Sequence, residues 1–390
     1  MSNPEKPLND VFVVYTDFGK QPPLDLTSYV AVTRAVDSMV VEVLEDHGAT
    51  CLPVPYPNLQ DDRDALKKKI PPDATTYILK ATDLSYGRGK LNTELFDSGR
   101  MEGLARRPEH FGLDEAGFAK AHTLLAAEQA VMFTAAMPDV GHCIYRLREP
   151  WQLARLQQAY ADHGALLAPI GGDLQEFIPP VSDRYTSFRV VTTATGEIVA
   201  AGLFASSQTT QEAPPTIQFD RFDKVEAMAA KYSRYRDILV AKRLFEDPAS
   251  PYFLAAEDVR SNIAVGGKSF QLMGPGAVRV LDPTDRKLLA AHRIDPDHPA
   301  LPTLIAGASR PISEFMGQRL GLLLGIDFML GPKGEVVYLE TNLEPDLGAV
   351  QGCYPEHKAL IDAYTFTMDS AVDGLVRAAQ ARQNTKNYQK

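Results

Sequence analysis

Gly325-Ile-Asp-Phe-Met-Leu-Gly-Pro-Lys-Gly-Glu-Val-Val-Tyr-Leu-Glu-Thr-Asn342 is the stretch on which the reading of this chain turns. Gly331-Pro332-Lys333-Gly334 is a turn sequence: proline fixes the backbone at the second position and glycine relieves the fourth, so the flanking apolar runs pair as antiparallel strands. Strand alternation places Tyr338, Glu340 and Asn342 on one face and Val337, Leu339 and Thr341 on the other. If Gly331 pairs with Gly334, Asp327 lies opposite Tyr338, with Glu340 as its diagonal neighbour roughly 7 Å away between backbones.

An Asp, a Glu and an Asn carbonyl form a hard, oxygen-only donor set suited to Mg2+ rather than zinc. An exposed hairpin with charges on its outer face has the same pattern. Two features argue against that alternative. The acids lie among Ile326, Phe328, Val336 and Leu339, in strands that read as mostly buried, and like charges this close need a cation or a proton to coexist. The strand then runs into Leu343-Glu-Pro-Asp-Leu-Gly348, which ends it abruptly.

Asp327 followed by Glu340-Thr-Asn342-Leu-Glu-Pro345 resembles the metal-binding signature of the ATP-grasp superfamily. There an Asp and an E-x-N-x-x-P strand hold magnesium on the nucleotide phosphates. The resemblance implies ATP and Mg2+ as cofactors, with Mn2+ as a possible substitute, and Asp327, Glu340 and Asn342 as the metal ligands. Upstream, Val259-Arg-Ser-Asn-Ile-Ala-Val-Gly-Gly-Lys268 resembles the R-x-N and paired glycines of the same ligases. Arg260 would then stabilise the acyl phosphate and tetrahedral intermediate, with Arg189 as a second cation, while Asn262 and the backbone at Gly266 and Gly267 hold phosphate. A strand ending in a glycine turn gives the same letters. The downstream order of Asp327, Glu340 and Asn342 favours the phosphate reading.

Gln175-Glu-Phe-Ile178 is similar to the family's hinge segment. By position, Gln175 or Glu176 contacts adenine, Phe177 and Ile178 form the hinge, and Asp183 binds the ribose, although a core strand with a polar edge looks alike. Two departures stand out. Thr134 aligns with the strand position where the family has a phosphate-binding lysine, so that either Lys80, Lys90 or Lys120 replaces it in space, or the alignment shifts, or phosphate binding is weakened. The glycine-rich loop shrinks to Asp139-Val-Gly141-His142, in which Gly141 is the phosphate-loop candidate.

Earlier in the chain, strands are expected at 11–15, 49–56 and 75–79, with helices at 26–47 and 61–70 between them. This order gives a parallel α/β layer, and it resembles the Rossmann-like domain that precedes the ATP-grasp core. Tyr86-Gly-Arg-Gly-Lys90 lacks the spacing of a phosphate motif and reads as a turn. Residues 90–138 read as mainly helical, most clearly over 113–128, with strands at 130–136 and 143–147. An amphipathic helix over 151–160 is expected to bury Trp151, Leu153, Ala154 and Leu156. Strands follow at 188–192 and 197–201, and helices at 220–245, 312–324 and 357–381. Lys231, Arg234, Arg236, Lys242 and Arg243 are interleaved with acids and read as a solvated face. The expected fold class is α/β with an α+β ATP-grasp core: an N-terminal domain at 1–89, a small subdomain with the hinge at 90–205, and a C-terminal subdomain at 206–390 that carries an insertion near 206–258.

The chain has 390 residues, enough for two or three domains. Its net charge of −10 argues against nucleic acid or an anionic membrane as the main partner. The N-terminus lacks a signal-peptide layout, and no apolar run approaches the roughly 20 residues that span a bilayer, so a cytoplasmic location is expected. Cys51, Cys143 and Cys353 are scattered and odd in number, as suits reduced core thiols rather than disulfides or a zinc site.

The resemblance implies an ATP-dependent carboxylate-amine ligase that forms an amide or peptide bond through an acyl phosphate and releases ADP and phosphate. Its partners would be a small-molecule carboxylate and an amine, an amino acid or short peptide among them, with a homodimer as the base-rate assembly. A small-molecule kinase and a catalytically inactive nucleotide-binding regulator are the alternatives.

Overall fold

A computed structural model of the chain describes residues 7–17, 29–55, 68–71, 74–79, 94–135, 143–168, 172–180, 186–205, 226–227, 229–230, 233–258, 268–273, 290, 300–316, 322–342 and 357–388. The N-terminal layer holds β1 (Val11–Asp17), α1 (Tyr29–Asp46), β2 (Thr50–Pro55) and β3 (Thr75–Leu79). The three strands are parallel in the order β2-β1-β3. The apolar run at Val11–Tyr15 occupies the centre because its neighbours cover both edges. Gly48, at φ +97°, lets the chain leave α1 and enter β2. The helix expected over 61–70 falls largely outside the described residues.

The chain continues through β4 (His110–Phe111), α2 (Glu115–Ala126), β5 (Val131–Ala135), β6 (Ile144–Leu147), α3 (Pro150–Leu167), β7 (Gly172–Glu176), β8 (Thr186–Thr193) and β9 (Ile198–Ala205). There follow α4 (Ser233–Phe245), β10 (Glu257–Asp258), β11 (Lys268–Met273), α5 (Ala300–Met316), β12 (Leu323–Leu330), β13 (Val336–Asn342) and α6 (His357–Tyr388). They build two antiparallel sheets, in the orders β10-β6-β5-β7-β4 and β11-β9-β8-β12-β13.

The first of these sheets packs Val131, Phe133, Tyr145, Leu147 and Leu174 against α2, α3 and α4. Two expectations are corrected here. Trp151 is 42% exposed and Ala154 is also exposed, because Gln152 turns inward instead. The Gln152 carbonyl caps the backbone N–H groups of Arg148 and Glu149 at 2.7 and 3.0 Å, and its amide donates to Leu254 O at 2.8 Å. Lys242, expected on a solvated face, is 1% exposed and ion-paired with Glu246. Ile238, Ala241 and Phe245 carry that face of α4 into the core, and β10 pairs with β6. Both elements from the stretch read as an insertion thus join this sheet's layer.

The helical expectation for 90–138 also fails between Ser98 and Glu109. Gly99 and Gly103 take positive φ, and an extended segment leads from Arg106 into β4.

The other sheet is covered on one face by α5, through Ala308 and Ile312 against Phe188, Val190, Leu324, Ile326 and Phe328. On its opposite face α6 contributes Met368, Ala371, Val372 and Leu375, which pack with Val191, Ala200 and Leu323 and with Val11, Val13 and Leu44 of the N-terminal layer. The helix expected over 312–324 lies earlier, at 300–316. Leu323 and Leu324 begin β12 because this strand, flanked by β8 and β13, buries both of its faces at that end.

Candidate functional site

The hairpin at 325–342 forms, with a register that differs from expectation. Leu330 pairs with Val336, and Gly331 N–H donates to Glu335 O at 2.8 Å across the loop. Phe328 then lies opposite Tyr338. A bulge at Leu339 follows, after which Asp327 lies directly opposite Glu340 and Gly325 opposite Asn342. The expected Asp327–Tyr338 pairing is therefore corrected, and so is the shared face of Tyr338 and Glu340. The extra residue resets the strand alternation. Tyr338 turns into the core beside Phe96 and Phe328, at ring distances of 5.4 and 6.2 Å, and its hydroxyl bonds Thr341 Oγ1 at 2.8 Å.

The row extends across the sheet. On the other side of β12, Asp327 is in register with Arg189 of β8, which is itself opposite Gly202 of β9. Residues directly opposed in antiparallel strands share a face, so Glu340, Asp327 and Arg189 stand side by side, with Gly202 adding no side chain. Arg189 Nε donates to Asp327 Oδ1 at 2.7 Å and Nη2 to Oδ2 at 2.6 Å. The two side chains are only 20% and 12% exposed. This is a bidentate, charge-assisted pair in a mostly dry setting.

The two opposed carboxylates suit a hard divalent cation. Asn342 joins them by register, two residues on from Glu340, although nothing beyond its backbone is described. Among the described residues no three His, Cys, Asp or Glu side chains converge, and the hairpin itself offers a metal two acids and the amide. Arg189 supplies the positive charge now facing Asp327, which an incoming ion would have to share or replace.

The hinge candidates sit on and just beyond β7. Gln175 pairs with Met132 of β5 and His110 of β4. Phe177 and Ile178 are buried, with the Arg146 guanidinium 4.2 Å from the Phe177 ring centre. The Glu176 carboxylate is engaged by Arg106, Nη1 to Oε2 at 2.9 Å and Nη2 to Oε1 at 3.3 Å. Sequence reading missed Arg106. Pro108 two residues later signals extended chain, but nothing local names a partner 70 residues away.

Thr134 lies on β5 opposite Ile144 and Asp173. Lys120 is on α2, paired with Glu109 and 5.1 Å from the Phe111 ring centre. Gly141, Asp183, Arg260, Asn262, Gly266, Gly267, Lys80 and Lys90 lie outside the described residues. Cys51 is half-buried and its thiol is pushed up to about 12 by burial and then by the Glu45 charge. Cys143 is buried. Both behave as core residues rather than thiolate nucleophiles, and Cys353 lies outside the described residues. Among the described residues no helix is long and apolar enough to cross a membrane.

No protein-family model matches the chain, and no curated protein matches it. Among solved structures it is similar to D-alanyl-alanine synthetase A from Vibrio cholerae O1 biovar eltor str. N16961, at 11% identity over 93% of this chain and 99% of that one, with a TM-score of 0.41. It is also similar to D-alanine--D-alanine ligase from Bacillus anthracis, at 9% identity over 95% and 99% of the two chains, with a TM-score of 0.42. A third likeness is to a RiPP-associated ATP-grasp ligase from Chryseobacterium gregarium in complex with ADP and a leader and core peptide, at 11% identity over 92% and 97%, with a TM-score of 0.38. At these identities and scores no residue role passes from one chain to another, and the site rests on its own register and contacts.

Proposed function

We propose that the chain is an ATP-dependent carboxylate-amine ligase of the ATP-grasp type. The observation that carries this reading is the transverse row Arg189–Asp327–Glu340, in which three strands bring one guanidinium and two carboxylates onto one face. The two acids stand where the E-x-N-x-x-P resemblance expects metal ligands. Asp327, Glu340 and Asn342 would hold magnesium, or manganese in its place, and the ion would neutralise phosphate charge.

The chain's own residues then position and polarise. Phe177 and Ile178 would form the hinge, with Gln175 or Glu176 contacting adenine and Asp183 as the ribose acid. Arg189 and Arg260 would face the anionic acyl phosphate, and Gly141, Asn262, Gly266 and Gly267 would cradle phosphate. The terminal phosphoryl group passes to a carboxylate oxygen with ADP leaving. The amine nitrogen then attacks the acyl carbon, phosphate departs and a proton is released. Such a reaction runs on orientation and electrostatics and needs no side-chain nucleophile.

Calorimetric titration of ATP with and without Mg2+, on wild type and Glu340→Ala, tests the reading. Magnesium-dependent binding that is lost or sharply weakened in the variant supports it, and ADP release is then screened over acid and amine pairs. Equal binding by a folded Glu340→Ala protein sinks it. Two observations favour a second reading, a nucleotide-binding regulator without turnover: Thr134 on β5 in place of a lysine, and both Asp327 oxygens held by Arg189. That protein would bind ATP yet release no ADP with any pair.

A further inference from the structure

The segment from Arg106 to Phe111 is bonded first to one five-stranded sheet and then to the other. At its start, Arg106 lies along the outer edge of β13. Its N–H donates to Val336 O at 3.0 Å, and Tyr338 N–H donates to its carbonyl at 2.8 Å, forming an isolated parallel bridge with Val337. At its end, His110 and Phe111 pair with Gln175 and Leu174 of β7. Between them Glu109 O accepts from Glu176 N–H at 2.8 Å.

The Arg106 side chain makes the same connection. Its fork holds both Glu176 oxygens at 2.9 and 3.3 Å, and its Nε lies 3.6 Å from Glu335 Oε1 in the hairpin loop. Glu176 Oε2 also accepts from Glu109 N–H at 3.3 Å. An ion pair this exposed, at 40% and 35%, does little by attraction alone. What distinguishes it is geometry. The backbone of Arg106 is fixed to one sheet, and its planar fork fixes the direction of the carboxylate on the other.

Glu176 adjoins Gln175 and Phe177, and the hairpin edge that Arg106 touches ends two residues before Glu340. A nucleotide lying across the proposed site must satisfy both ends at one spacing, adenine on β7 and phosphates at the β12–β13 hairpin. We propose that Arg106 is a positioning residue that sets the spacing between β7 and the β12–β13 hairpin, and so governs ATP affinity without touching the nucleotide. This rests on the nucleotide reading given above.

The test compares Arg106→Met, Arg106→Lys, Glu176→Gln and the Arg106→Met/Glu176→Gln double variant with wild type, each checked for a folded melting transition. ATP with Mg2+, adenosine alone and Mn2+ alone are titrated by calorimetry. Arg106→Met is expected to weaken ATP roughly tenfold and to leave adenosine and Mn2+ affinities within roughly twofold, since each of those ligands needs only one side of the site. Glu176→Gln should weaken ATP likewise, and the double variant should lose less than the sum of the two, because both changes disrupt the shared Arg106–Glu176 contact. Arg106→Lys, which keeps the charge and loses the fork, should fall between. Should Arg106→Met not fold, Arg106→Lys and Glu176→Gln carry the comparison. Unchanged ATP affinity, or parallel losses for all three ligands, overturns the positioning role. Absence of ATP binding by wild type overturns the nucleotide reading and this inference together.

Discussion

Arg189 and Asp327 face each other across adjacent antiparallel strands, and the guanidinium holds both carboxylate oxygens, at 2.7 and 2.6 Å. Glu340 stands on the other side of Asp327 in the same row. One carboxylate thus lies between a fixed cation and a second acid, and removing Arg189 takes away a positive charge that faces two opposed carboxylates. Such a pair recruits a proton or a metal ion.

Arg189→Met should therefore bind Mn2+ more tightly than wild type, by roughly tenfold, and in the absence of metal should be less stable by about 2 kcal/mol. Calorimetry with Mn2+ alone and denaturant unfolding in a chelator read the two effects separately. An unchanged Mn2+ affinity would show that the arginine and the ion do not compete for Asp327.

Within the other five-stranded sheet's core, Lys242 pairs with Glu246, whose carboxylate also accepts from the Tyr145 hydroxyl at 3.0 Å. Breaking a buried pair strands the remaining charge, which costs about 3–5 kcal/mol, whereas removing both charges together with the tyrosine hydroxyl costs far less. Lys242→Met should lose stability by that amount. The triple change Lys242→Met/Glu246→Leu/Tyr145→Phe should return to within about 2 kcal/mol of wild type. Urea unfolding midpoints with a common slope give the comparison, and equal losses in the single and triple variants would refute it.

Stability should fall on the alkaline side. Burial raises the Tyr145 hydroxyl well above its ordinary value of 10.0, with Cys143 and Glu246 adding to the shift. Burial, then Glu45, pushes the Cys51 thiol from 9.0 to about 12. In both cases the folded pKa lies above the unfolded one. The unfolded chain releases its proton first, and stability is full below the unfolded pKa and declines as pH rises through the folded one. The decline should begin near pH 9 from Cys51 and steepen above pH 10 as Tyr145 contributes. Thermal melts from pH 8 to 11 on wild type, Cys51→Ala and Tyr145→Phe check this, and curves of identical slope in all three would contradict the assignment.

Strand alternation and turn chemistry act over a few residues, and what they control was legible in the letters. The parallel layer, the antiparallel hairpin and the placement of Asp327 and Glu340 on neighbouring strands all follow from them. The bulge at Leu339 was not legible. A bulge is selected by partners on both sides of a strand, here β12 on one side and the Arg106 backbone on the other. The burial of Lys242 was hidden for a related reason, since a charge pattern on a helix does not say which cation meets a buried acid and a tyrosine from another strand.

The sequence by itself determined which residue types stand together, the hard oxygen donors of the hairpin and the apolar pair after Gln175, because residue type and local backbone preference are properties of short stretches. Only the tertiary structure decided who faces whom: Arg189 against Asp327 across 138 residues, Arg106 against Glu176 across 70, and Glu340 directly opposite Asp327 rather than diagonal to it. Those pairings depend on which strands become neighbours and in what register, and that is settled by packing of the whole sheet between α5 and α6, which no local pattern encodes.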